Sequence, residues 1–469
     1  VTGSVPGRKI VPWLVAIIAV AGTAAIWLLV YNLRRSAKVQ TTTLAVLPFT
    51  DESAQRDQQY FSDGITEDLT QALALMPALR IPAAESTFRL RDATVAEAGR
   101  QLQVEMVLKG SVRREGGRVH INAQLVRVAD NANTWSQSFD EPASAVVDAG
   151  QKLSRAVIGE LGAGAWHPSR TTNSAVAYEL YLHGLESLRK AGGGPSPEAA
   201  EYFKQAIGKD ESFPRAYLGL AQAYDLTPEA RAAALRALTL DESLGEAHVA
   251  LARVLLWDDA DWSTAEKELN RAKIVSPQCA EADVIAGLTF AYRLNSEQAR
   301  AEMMRAVELN PLSARVRNAQ ALVALLTRDM RGSIAAARTA IELDPKFLPA
   351  YETLGRALVL TGATEEGITA LRESGAQGSL GWAYGTAGQS KEARAVLREL
   401  TQQKEPPAFA IAQVYAGLDD REETFRWLER VLQSGAAGAR GQVANIVGPD
   451  WDRVRSDARY AAALKKIGL

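Results

Sequence analysis

Residues 265–277 read AEKELNRAKIVSP, residues 299–311 read ARAEMMRAVELNP and residues 333–345 read SIAAARTAIELDP. These stretches follow one another at a step of 34 residues. Ala265, Ala299, Ser333 and Gly367 hold one register, and Ala272, Ala306, Ala340 and Ser374 hold a second seven residues on. Gly287, Ala321 and Gly355 keep the same step, as do Pro277, Pro311 and Pro345. Small residues let two antiparallel helices approach closely, and each proline ends a helix before the next unit begins. A single hairpin cannot bury its apolar stripe, so the units must stack into a solenoid.

Outward from this core the period runs on in both directions, giving about eight units over residues 175–434. The first, from Tyr178, carries an insertion at Gly192-Gly193-Gly194-Pro195, and the second is short near Thr227-Pro228. The third holds Asp258 to Asp261 in its loop, and the sixth degenerates around Gly375 to Ser379. Residues 435–469 are expected to cap the last hairpin.

Residues 43–165 have a different texture. Leu44 to Phe49 is an apolar strand, Tyr60 to Met76 reads as a helix with Ser62 or Asp63 as N-cap, and Leu79 to Ala83 is a second strand. A helix follows over Thr94 to Leu102. Val104 to Arg114 and Arg118 to Val128 alternate, with Met106, Leu108 and Val112 facing the same way as Val119, Ile121, Ala123 and Leu125. Gly116 and Gly117 supply the turn between them. A further strand carries Trp135 and Phe139, and a helix to Leu161 closes an α/β layer of about five strands.

Ahead of this lie a tail (1–9), an uncharged run from Ile10 to Tyr31 and a linker (32–42). The run is 22 residues long, or about 33 Å as a helix, so it is expected to be a transmembrane helix. Arg8, Lys9, Arg34, Arg35 and Lys38 flank it, with Trp13, Trp27 and Tyr31 near its ends. The flanking charges slightly favour a cytoplasmic C-terminal side. The chain begins at Val1, which reads as a non-standard start or as a fragment. The expected fold class is therefore multidomain: one transmembrane helix, an α/β domain with a mixed sheet, and an all-α solenoid.

The blocks LAVLPF, YFSDGITEDLTQAL and VLKGSVRREGGRVHINAQLVRVADNANTWSQSFD resemble the TolB amino-terminal-like domain of bacterial envelope proteins, and the 34-residue units resemble tetratricopeptide repeats. Asn131-Ala132-Asn133 and Phe88-Arg89-Leu90 depart from that family's usual loops. The resemblance implies a membrane-anchored protein of the inner membrane with its C-terminal domains in the periplasm, against the charge count. It also implies relatives with a winged-helix or adenylate cyclase domain before the membrane helix.

The composition offers little reason to expect a nucleic-acid partner: 53 basic residues stand against 55 acidic ones. One cysteine, Cys279, excludes an internal disulfide. His120, His167, His183 and His248 lie far apart, and no Walker A loop, G-x-S-x-G elbow or H-E-x-x-H is present. Asp258, Asp259 and Asp261 lack the glycine and distal glutamate of a calcium loop. Asp63 and Glu67 are the positions a hidden hydrolase or transferase would need. No cofactor or metal is expected.

The repeat resemblance implies a concave groove that holds a protein or peptide partner. Its groove-facing positions carry over to Arg253, Trp257, Tyr292, Arg315, Asn318, Glu352 and Arg356; rings and guanidinium groups are frequent binding anchors. The full Lys/Asn set that clamps a peptide carboxylate is missing. The expected function is a non-catalytic envelope scaffold or sensor. The alternative is the sensory half of a one-component signalling protein with its output domain upstream.

Overall fold

The two glycines after Glu115 set the middle of the sheet. In the computed structural model, which describes residues 41–166, 171–192, 194–436 and 438–469, Gly116 and Gly117 take φ of 57° and 77°. Such positive values suit a two-residue hairpin turn. β4 (Met106–Glu115) and β5 (Arg118–Arg127) pair across it in register from Glu115–Arg118 to Met106–Arg127. β6 (Asn133–Pro142) adds antiparallel to β5, while β1 (Thr42–Val46) and β2 (Thr50–Asp51) pair parallel with β4. With β3 (Leu79–Arg80) at the edge, the order is β3-β1-β4-β5-β6.

Alternation along the strands divides two cores. Leu44, Val46, Leu108, Val112, Val119, Ile121, Ala123 and Leu125 meet helices α1 (Gln59–Ala74) and α4 (Val146–Glu160) on one face. Ala45, Val107 and Val126 meet α3 (Val95–Leu102) on the other; the short α2 (Ala84–Phe88) precedes it. α1 begins before the expected cap, so Ser62 and Asp63 lie inside it and are buried. Asp63 receives hydrogen bonds from Gln59, Arg91 and Arg189 at 2.7–2.8 Å, and these partners, rather than a helix end, account for a carboxylate there.

Eight antiparallel helix pairs follow among the described residues: Ala175–Lys190 with Pro197–Lys209, Pro214–Tyr224 with Pro228–Leu240, Gly245–Val254 with Trp262–Val275, and Ala280–Tyr292 with Ser296–Leu309. Then come Ala314–Leu326 with Met330–Leu343, Leu348–Leu360 with Thr364–Ser374, Gln377–Thr386 with Ser390–Thr401, and Ala408–Gly417 with Arg421–Gln433. Ala265, Ala299, Ser333, Ala272, Ala306 and Ala340 are all fully buried between the helices. A methyl group on Gly184 or Gly219 would lie 2.5 Å from the Phe203 ring. The period reaches into the turns as well. Ala260, Leu294, Arg328 and Gly362 all have φ between 58° and 88°, and Asp261, Asn295 and Asp329 cap the helices that follow the first three.

The expected fold class is corrected in one respect. Among the described residues no helix is long and apolar enough to cross a membrane. The 10–31 run expected to do so lies outside the described residues, as do the 1–9 tail and most of the 32–42 linker. The architecture described is a mixed sheet with helices followed by an all-α solenoid.

Candidate functional site: a divided inner face

The chain after the eighth pair does not stop at that pair. Residues 438–469 form a short helix (Ala439–Ala444), two 3₁₀ turns and a last helix (Ala458–Lys466). The last helix packs on the second helix of the eighth pair through Arg459–Glu422 and Lys466–Glu429, and the stretch before it reaches Trp257, Tyr292, Arg356 and Trp382 on the first helices of earlier pairs. Trp262 Nε1 donates to the Ile467 carbonyl at 2.6 Å, and the Tyr292 hydroxyl bonds Asn445 Oδ1 at 3.0 Å. Arg328 pairs with Asp452 through two bonds of 2.7 Å, and Trp382 Nε1 donates to the Asp450 carbonyl at 2.9 Å. Val443, Ala444, Ile446, Val454 and Ile467 are fully buried in the same apolar core as the repeats.

A local irregularity admits this segment. The first helix of the third pair ends in a π-helical turn, Leu255–Asp259, rather than a solvated acidic loop. Arg440 donates to the Asp258 and Asp259 carbonyls, and the ring of Trp257 lies so close against Gly441 that a methyl group there would overlap it. Among the described residues no three His, Cys, Asp or Glu side chains converge on a possible metal site.

The α/β domain covers another part of the repeats. Gln278, Asn310, Ser313 and Leu343 stand at the junctions between successive pairs. Gln278 Oε1 accepts from the Ile81 amide at 2.7 Å while its Nε2 donates to the Ala74 and Leu79 carbonyls at 2.9 Å. Glu85 accepts from Asn310 at 2.9 Å and Ser313 at 2.7 Å, and Arg89 donates to the Leu343 carbonyl at 2.6 Å. The Tyr178 hydroxyl, on the first pair, donates to Asp68 at 2.6 Å, and Arg215, on the second, pairs with Asp68 as well.

The seven groove positions read from the sequence are thereby separated. Trp257, Tyr292 and Arg356 engage the chain's own C-terminal segment; Tyr292 and Arg356 are only 4% and 7% exposed. Arg356, Asn318 and Glu352 line a cavity of about 520 Å³ closed on one side by Asn445, Asp450 and Trp451. There Glu352 accepts from Ser379 Oγ at 2.6 Å. Arg253 and Arg315 line a different cavity, also about 520 Å³, whose opposite wall is Glu67, Glu85 and Phe88 of the α/β domain.

In this second cavity Glu281 lies between two guanidinium groups, 3.3 Å from Arg315 and 3.8 Å from Arg253, which also pairs with Asp225. Burial opposes ionisation of Glu281, yet Arg315 and Arg253 hold its carboxyl below the ordinary value. Glu281 in turn raises the Arg315 guanidinium. Glu67 behaves oppositely: burial pushes its carboxyl up, against the pull of Arg189. Composition and periodicity carry no sign of Glu67, Phe88 or the C-terminal segment at this face. Their places depend on contacts between residues hundreds of positions apart.

Fold and site together define a helical-repeat protein with an α/β domain docked on its inner side. Residues 40–154 match the family described as HilA/YgeH-like transcriptional regulator, second domain, a match that does not itself confirm the TolB amino-terminal-like resemblance of the same sequence blocks. A Rhizobium meliloti protein described as adenylate cyclase 3 is 28% identical over 236 residues, 46% of this chain and 40% of that protein. The chain thus spans less than half the length of this curated relative. Among solved structures, a thermophilic TPR protein of Thermus thermophilus aligns at 19% identity and a TM-score of 0.35, over 39% of this chain and 98% of its own. Human IFIT1 with PPP-AAAA aligns at 16% and 0.42, over 62% and 79%.

Proposed function

We propose that this chain is a non-catalytic binding module that holds a protein segment in the cavity between the α/β domain and the inner helices of the repeats. One observation carries the reading. Arg253 and Arg315 stay accessible in an open cavity of about 520 Å³, while Tyr292 and Arg356 farther along the inner face are covered by the chain itself. The cavity is of the size usual for specific sites, with Leu185, Val249 and Phe347 as apolar wall and charged groups at fixed places. Asp63, a position considered for catalysis, is consumed by Arg91 and Arg189.

The test is selection of short peptides on the purified chain, followed by fluorescence anisotropy with the variants Arg315→Glu and Phe347→Asp. Each variant is expected to weaken the selected peptides by about tenfold or more. Peptides bound equally by wild type and both variants would contradict the assignment.

A second reading is favoured by the two sequence matches, both to proteins whose descriptions name a signalling output. In it, occupancy of this cavity is transmitted to a nucleotide cyclase or a transcriptional regulator, in cis or in trans. A chimaera of the cyclase relative carrying this chain in place of its matching segment tests it. Cyclic-nucleotide synthesis should change when a selected peptide is added and should cease to respond with Arg315→Glu. Constant synthesis throughout would contradict it.

A further inference from the structure

The charges in the cavity do not balance locally. Each of its guanidinium groups has a partner: the Leu343 carbonyl for Arg89 at 2.6 Å, Asp63 for Arg189 at 2.7 Å, Asp225 and Glu281 for Arg253, and Glu281 for Arg315. Arg189 Nη2 is buried without a hydrogen bond, and its guanidinium lies over the Phe88 ring at 5.0 Å. Of the acidic groups, Glu85 is held by Asn310 and Ser313, and Asp344 accepts from the Lys346 amide. Two lining carboxylates remain, those of Glu67 and Glu246, and within the described residues neither has a hydrogen bond or an ion pair. They share one neighbourhood. Besides burial, the negative charges of Asp68, Glu67 and Glu246 act together to raise the Tyr181 hydroxyl, opposed by Arg215.

Beside these carboxylates the wall is apolar: Phe88, Leu185, Leu188, Val249, Ala314 and Phe347. A carboxylate with no partner in a partly desolvated site is costly, and a cation that reaches it gains a charge-assisted hydrogen bond. A cation on a hydrocarbon stem would satisfy both the wall and the acids, as a lysine or arginine side chain does when its stem lies on apolar surface. A carboxylate ligand would meet Arg253 and Arg315 already sharing Glu281 and would face Glu67 and Glu246.

We propose that the cavity recognises a basic side chain, lysine or arginine, of the partner segment, with Glu67 and Glu246 receiving its cationic head and the Phe88–Leu185–Phe347 wall taking its stem. This rests on the binding-module reading above and specifies the chemistry of its occupant. Glu67 belongs to the α/β domain and Glu246 to the third helix pair, so the occupant touches both parts of the chain.

The probes are n-hexylammonium, n-hexanoate and n-hexanol, titrated calorimetrically into the full chain, and a short labelled peptide with a central lysine set against the same peptide with acetyl-lysine or glutamate. Hexylammonium is expected to bind saturably and about tenfold more tightly than hexanoate or hexanol. The lysine peptide should exceed its acetylated and acidic forms by a similar factor. Glu67→Gln and Glu246→Gln, each of which keeps shape and removes charge, should each cut hexylammonium affinity about fivefold or more without lowering thermal stability. Hexanoate binding as tightly as hexylammonium, affinity unaltered in both glutamine variants, or no saturable binding of any amine would overturn the proposal. Selected peptides that lose binding with Arg315→Glu yet show no preference for lysine would remove the cation alone and leave the binding module standing. Free amines binding tightly while lysine peptides do not would also overturn it, because the occupant would then not be a protein segment.

Discussion

Arg356 Nη2 donates to both carboxylate oxygens of Asp450 at 2.9 Å, and both side chains are almost wholly buried. The pair joins the sixth helix pair to the returning C-terminal segment across 94 residues of sequence. Asp450 is also where Trp382 lands, through the backbone carbonyl. Removing one partner leaves an uncompensated charge inside the repeats. Arg356→Ala or Asp450→Ala should therefore cost about 3–5 kcal/mol in urea unfolding. The double variant Arg356→Met/Asp450→Leu should cost clearly less than the sum of the two single changes. Strict additivity would mean that the two groups do not act on each other.

Gly441 tests the same contact by bulk. A side chain there overlaps the Trp257 ring. Gly441→Val should destabilise the chain by about 1–3 kcal/mol, or expel the Ala439–Ala444 helix from its seat. Faster amide exchange confined to that helix and the Leu255–Asp259 turn would report the second outcome. An unchanged melting curve with unchanged exchange would contradict the packing.

Leu294 is 60% exposed and holds φ of 59° at the end of a helix, where glycine is the unstrained residue. The equivalent turn after the sixth pair's first helix already has Gly362. Leu294→Gly should raise stability by about 0.5–1 kcal/mol, relief of the left-handed strain outweighing the added freedom of the unfolded chain. A loss of stability would show that Leu294 contributes packing that its exposure conceals.

These positions mark how far the sequence can be read. The buried alanines at 265, 299 and 272, 306 declare themselves because close helix packing constrains each repeat in the same way. Gly116 and Gly117 declare the hairpin because few residues adopt those angles cheaply. Tyr292 and Arg356 carry the right chemistry for a groove, and the repeat resemblance places them facing inward. No periodicity says that residues 438–469 return to cover them, since that is decided by single contacts such as Trp262 with Ile467. The early start of α1 escapes for a similar reason. Asp63 has the chemistry of a cap, and its true partners, Arg91 and Arg189, are distant in sequence.

Asp283 supplies a pH signature. It is 1% exposed, with Lys273 at 3.3 Å, Arg305 at 3.2 Å and the Glu302 carboxyl beside it. Burial pushes its carboxyl up to about 6, against the pull of the two cations. A carboxyl raised on folding binds its proton more tightly in the native state. Its contribution is therefore full below about pH 4 and declines as pH rises through about 6. Relative to Asp283→Asn, the wild type should lose about 1–3 kcal/mol between those limits. A difference that stays flat, or grows with pH, would contradict the assignment.

The division of the inner face is tested most directly by hydrogen exchange in the full chain, followed peptide by peptide over residues 438–469 and the inner helices Gly245–Val254 and Ala280–Tyr292. The account predicts that amides of Val443, Ile446, Trp451 and Val454 exchange as slowly as those of the repeat helices they pack on, and that Arg356→Ala releases them together. Exchange of the 438–469 stretch at the rate of an exposed tail, in the wild-type chain, would contradict it.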